Sequence, residues 1–147
     1  MGLITPDKFL QFAKKIMSVK SASEEECRSA VSRAYYSLYH ETLQIMISRY
    51  SLDLIVNIEK VKKKTLSNSE RAKLNSLDPD FLKQFNLHQI IFDTLFNMKY
   101  RAVAMTYKNF RIQRNQADYD LKMNLSYNDA DVVVKNIDVL VSAIKSL

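Results

Sequence analysis

One glycine and two prolines in 147 residues leave this chain very few places to turn. Strand-rich folds reverse direction often, and their turns lean on Gly, Pro and Asn for backbone angles that other residues resist. The chain therefore reads as all-α. Its helical pattern predicts an up-and-down bundle of four to five helices with an elaborated connection around residues 50–85, in a single domain spanning 1–147. That length suffices for one core, burying roughly 70% of the unfolded surface.

Thr5 and Pro6 open a first helix, with Phe9, Phe12, Ala13, Ile16 and Met17 as its apolar stripe. Ser23 and Glu26 have the spacing of a capping box, from which a long helix runs to about Tyr50. Breaks at 67–69 and 77–79 bracket a short helix. A second long helix is expected over 87–113, reaching toward 118, with Ile91, Leu95, Met98, Ala102, Met105 and Phe110 inward. The last helix takes Asn128 as its cap, Asp129 and Asp131 in its first turn, and Val133, Ile137, Leu140, Val141 and Ile144 as its buried face.

Several function classes drop out. The single Cys27 forbids an intramolecular disulfide and a Cys-rich metal site, and fits a reducing cytoplasm. The opening residues lack the apolar run of a signal peptide, and Pro6 stands where myristoylation of Gly2 would need Ser or Thr. No apolar run approaches the roughly 20 residues that cross a bilayer, so a cytoplasmic protein without a membrane partner is expected. A Walker loop, a glycine-rich phosphate cradle and an HExxH pair are all absent, so neither cofactor nor metal is expected. The net charge of +6 leans toward polyanionic partners.

Three stretches carry chemistry. In SRAYYSLYH (32–40), helical spacing puts Arg33, Tyr36 and His40 on one stripe, with Ser37 beside it. A cation, a phenol and an imidazole can hold a phosphate, stack a base and move a proton. In RIQRNQADYDL (111–121), Arg111 and Arg114 offer planar forks of donors, followed by Asp118 and Tyr119. KVKKK (60–64) supplies unspecific charge for RNA contact. The plainer alternative is an Arg33–Asp118 ion pair with tyrosines that only pack.

Two of these stretches together resemble the HEPN superfamily (higher eukaryotes and prokaryotes nucleotide-binding), in its small single-domain prokaryotic branch. The matching residues are Ser32 to Tyr36 with His40, and Arg114-Asn115-Gln116-Ala117-Asp118-Tyr119; His88 to Ile91 resembles the start of that branch's third helix. The likeness covers roughly residues 8–145 and is poorest over 50–85.

The resemblance implies a homodimer that brings two motif helices together across a cleft. Many such proteins are metal-independent ribonucleases of toxin–antitoxin, CRISPR or phage-defence systems. Their signature is an Arg, a polar residue and a later His; here Arg114 and Asn115 match, while Tyr119 and Leu121 stand where the histidine is expected. On this reading Arg114 meets the scissile phosphate and Tyr119 and His40 supply the proton chemistry. Arg33, Tyr36, Arg111, Asn115 and Asp118 then bind RNA or a nucleotide. Histidine suits such proton transfer because it titrates near neutrality, whereas tyrosine ordinarily does so near 10. The alternative is a non-catalytic module that binds RNA, a nucleotide, or a protein partner such as a nucleotidyltransferase or antitoxin.

Overall fold

The computed structural model describes residues 5–147; Gly2, and the reading made on it, lie outside the described residues. The chain is all-α. Among the described residues it forms α1 (Pro6–Met17), α2 (Glu24–Lys62), α3 (Asn68–Asn75), α4 (Pro79–Leu82), α5 (Leu87–Asn97), α6 (Arg101–Tyr119) and α7 (Tyr127–Lys145). They divide into two compact units, one of residues up to 41 with 106–147 and one of residues 42–105; α2 and α6 each contribute to both. No helix among the described residues is long and apolar enough to cross a membrane.

In the first unit, α1 packs on α7. Leu10, Ala13 and Met17, spaced three and seven apart, are the buried face of α1. Phe12, expected inward, is 51% exposed, because it lies about 100° round the helix from Ala13. The expected inward face of α7 is buried throughout, with Ala130 and Val134 added. Its cap, however, is Ser126 and not Asn128: the Ser126 hydroxyl accepts the Asp129 N–H at 3.1 Å. The Tyr127 hydroxyl donates to the Met17 carbonyl, which fixes the start of α7 against the end of α1. At the start of α2 the capping box forms as its spacing requires, with Ser23 N–H on Glu26 at 3.0 Å and Glu26 N–H on Ser23 at 3.2 Å.

In the second unit, Tyr50 has non-helical angles (φ −131°, ψ 31°) where the long helix was expected to stop. The helix resumes instead, because Leu54, Ile55 and Ile58 supply a further buried face. The expected helix over 87–113 is likewise two helices. Lys99 adopts φ 70°, Tyr100 N–H reaches the Leu95 carbonyl at 3.0 Å, and Lys99 N–H reaches that of Phe96 at 3.1 Å. This is a Schellman cap, and it resets the helical phase. Ala102 and Met105, expected inward by running one stripe through the break, are therefore exposed, and Ala104 and Tyr107 are buried. This split and the short α4 bring the bundle to seven helices among the described residues, against the expected four to five.

The same cap closes α2 at Lys63 (φ 55°) and α3 at Leu77 (φ 58°). All three left-handed positions lack glycine, and each forces a Cβ toward a carbonyl oxygen at about 1–2 kcal/mol. Lys63 and Lys99 are exposed, so Lys63→Gly and Lys99→Gly should each raise stability by about 1 kcal/mol and the melting temperature by about 3 °C. Unchanged or lower melting temperatures would contradict this account of the caps.

Candidate functional site

The site lies within the first unit, where the C-terminal half of α6 meets the N-terminal half of α2. Along α6, Tyr107, Arg114 and Asp118 recur at helical spacing on the side that meets α2. Ser32 and Tyr35, one turn apart on α2, receive them. The Arg114 guanidinium lies 5.1 Å from the Tyr35 ring centroid, and its Nη1 is 3.6 Å from Asp118 Oδ2. The Ser32 hydroxyl donates to the same carboxylate oxygen at 3.2 Å. Stack and ion pair together hold the guanidinium in one orientation, while its buried Nε has no acceptor.

Beneath Arg114, Tyr35 and Tyr107 are buried and their hydroxyls share a hydrogen bond of 3.2 Å. Burial pushes both phenols up, against the Arg114 and Arg111 charges on Tyr35 and the Arg111 charge on Tyr107, which lower them. Both therefore stay neutral at physiological pH and serve as a stacking platform. Burial likewise pushes Tyr39 up to about 12. A raised value means stability that is complete below pH 10 and lost as pH climbs through about 12. Unfolding followed by tyrosinate absorbance should show that loss between pH 10 and 12, and Tyr39→Phe should flatten it.

Arg28 locks the segment in place. Its guanidinium donates to the carbonyls of Gln116 at 3.3 Å, Ala117 at 2.9 Å and Asp120 at 3.1 Å, and to that of Met123. It also pairs with Glu24 at 3.0 Å. These are the last carbonyls of α6 and the turn beyond it, where the helical ladder runs out; Gln116 and Asp120 also accept the N–H groups of Asp120 and Met123, at 3.0 and 3.3 Å. Glu24 in turn accepts the Leu125 N–H at 3.3 Å. That bond first, and Arg28 second, hold its carboxyl below the usual range. Neither Arg28 nor Tyr35 was among the residues expected at the site. The signals were present, in the four-residue spacing of Glu24 and Arg28 and in Tyr35 beside the polar stripe.

The polar stripe of α2 meets a different neighbour from the one its motif suggested. The Arg33 guanidinium lies 5.9 Å from the Phe9 ring, and Tyr36 packs edge-on to Phe9 at 4.8 Å, so this side of α2 faces α1. His40 follows, 4.2 Å from Tyr36 and 4.9 Å from Tyr39 by ring centroid. The physical reason is rotation: Ser32 and Tyr35 sit about 100° round the helix from Arg33 and Tyr36, and they take the α6 contact. Asp118 pairs with Arg114, not with Arg33 as the plain ion-pair alternative had it.

The His40 Nε2 is buried without a partner, and burial lowers the imidazole pKa. A lowered value means stability present above pH 6.5 and lost as pH falls below it, because unfolding then lets the ring protonate. The urea midpoint should drop between pH 7 and pH 5.5, and less so in His40→Gln.

Asn115 and Tyr119 lie on the next side of α6, where an open groove of about 600 Å³ is lined by Ile112, Asn115, Gln116, Tyr119 and Asp120. Tyr119 is 74% exposed there. Arg114 does not line this groove; it stands one residue round the helix from Asn115. Arg111 acts on the buried tyrosines, whereas Arg101, at the start of α6, stacks on Phe96 at 5.1 Å in the second unit. His88 also belongs to the second unit, in the first turn of α5. The KVKKK run ends α2, where cations suit the helix dipole; Lys62 lies 5.2 Å from the Phe85 ring and Lys64 pairs with Glu70 at 3.5 Å. A further cavity of about 530 Å³ between α1 and α7 is bordered by the Lys14–Asp138 pair at 2.8 Å and the Lys135–Asp131 pair at 2.7 Å. Those charges satisfy each other. Among the described residues, no group of three His, Cys, Asp or Glu side chains is arranged to hold a metal ion.

Comparison of the chain with family models, with curated proteins and with solved structures found no match.

Proposed function

We propose that this chain is an RNA-directed protein of the HEPN kind, which grips an RNA phosphate at Arg114 and lays the strand along the Asn115–Tyr119 groove. One observation carries the reading: the Arg114 guanidinium is set in advance by the Tyr35 ring and the Asp118 carboxylate, and its side chain is 20% exposed. A preset fork suits phosphate oxygens and spends little entropy on binding. The net charge of +6 supports a polyanionic ligand, and single-stranded RNA suits a groove offering an aromatic ring and amides. A second copy of the chain, or an antitoxin or nucleotidyltransferase, is the protein partner this reading implies, in a toxin–antitoxin or phage-defence setting.

Binding without turnover fits the site better than metal-independent cleavage. Cleavage needs one group to take the 2′-OH proton and another to protonate the departing 5′-oxygen. The motif position that would carry histidine holds Tyr119, and His40 sits among Tyr36 and Tyr39 on the side of α2 that faces α1. Incubating the protein with total RNA, beside Arg114→Ala, decides between the two readings. RNA retained intact by the wild type, and lost in the variant, supports binding. Fragments that vanish in the variant restore the ribonuclease reading. No association with RNA sinks both.

A further inference from the structure

A second, more enclosed cavity of about 300 Å³ lies between α2, α6 and α7 of the first unit. That is the lower end of ligand-pocket sizes, roughly 300–1,000 Å³. Its apolar lining is Val31, Met123, Leu125, Val132 and Val133, of which Val31 and Val133 are buried. Its polar lining is three carboxamides, Gln113, Gln116 and Asn124, with the carboxylate of Asp129. No Lys or Arg lines it, so it is ill suited to a phosphate. An apolar lining with amides around it suits an uncharged planar ring that carries donors and acceptors on its edge.

The lining also says which edge. The Gln113 side-chain oxygen is buried without a donor, and an ionised Asp129 can only accept. The terminal torsion of Gln is soft and two-fold, so the amide can turn its oxygen to a ligand donor. Gln116 lines both this cavity and the open groove. A strand lying in the groove thus passes beside the cavity, with Gln116 at the border.

We propose that the cavity is a base pocket for a nucleobase with an exocyclic amino group, held between Val31 and Val133, with Gln113 and Asp129 accepting from that amino group. The pocket rests on the RNA reading for its biological sense, but a free nucleoside has no phosphate and tests it separately.

The test is a ligand-observed NMR titration of the full chain with cytidine and with uridine, which differ by an amino group against a carbonyl at ring position 4. Cytidine should bind about tenfold tighter, the scale of one well-made base-edge contact. Its binding should survive Arg114→Met and fall in both Gln113→Met and Asp129→Ala; the exposed Asp129 keeps the test open should Gln113→Met not fold. Equal affinity for the two nucleosides, or cytidine binding untouched by Asp129→Ala, overturns the pocket. RNA held through Arg114 while cytidine goes unbound sinks the pocket alone. Cytidine bound with no affinity for RNA sinks the RNA reading alone.

Discussion

Arg28→Ala should cost about 3 kcal/mol of stability and lower the melting temperature by roughly 6–12 °C, the largest loss expected of any single change to a charged residue in this chain. The Arg28 side chain is only 15% exposed and serves four carbonyls across Gln116 to Met123 besides Glu24. Truncation leaves the part-buried carbonyls of Ala117 and Met123 without that donor, whereas those of Gln116 and Asp120 keep the N–H groups of Asp120 and Met123; an unsatisfied group costs about 1–3 kcal/mol when water cannot replace the partner. Arg28→Lys should recover less than half of the loss, because an ammonium cannot reproduce the planar fork. Circular-dichroism melts of the three proteins measure this directly. Equal melting temperatures for wild type and Arg28→Ala would remove Arg28 as the lock on the end of α6.

Arg114→Met should act on the opposite quantity. Methionine keeps an unbranched apolar stem against Tyr35, so the melting temperature should fall by only a few degrees. The lost stack is worth about 0.5–2 kcal/mol, and Asp118 keeps its bond to Ser32 at 3.2 Å. RNA affinity should fall by about tenfold or more, since a charge-assisted contact to phosphate is removed. Fluorescence anisotropy with a labelled single-stranded RNA, read beside the melts, separates the two roles. A large melting shift with unchanged RNA affinity would make Arg114 a packing residue.

The sequence carried the fold class because scarcity of turn residues is a property of the whole chain. It carried the capping box at Ser23 and the buried face of α7 because these depend on spacings within a single helix. What it did not carry are the events that depend on tertiary packing. The break at Lys99 has no glycine to announce it, and the stripe continued through it came out in the wrong phase. The rebirth of α2 after Tyr50 depends on where Leu54 and Ile58 find partners. At the site, helical spacing put Arg33, Tyr36 and His40 on one stripe of α2, and Tyr36 and His40 are in ring contact there. It could not say which stripe of α2 turns toward α6. That choice went to Ser32 and Tyr35, because Phe9 of α1 occupies the other side. Arg28 went unseen for a related reason: its spacing from Glu24 marks only a pair on the helix surface, and the backbone carbonyls it also holds carry no side-chain signature.

The central claim is that Arg114 presents a preset guanidinium to an RNA phosphate, and the salt dependence of RNA binding tests it most directly. Affinity for single-stranded RNA should fall linearly with the logarithm of salt concentration in the wild type. In Arg114→Met the slope should be shallower by about one phosphate contact, at lower affinity throughout. Identical slopes and affinities for the two proteins would contradict the claim.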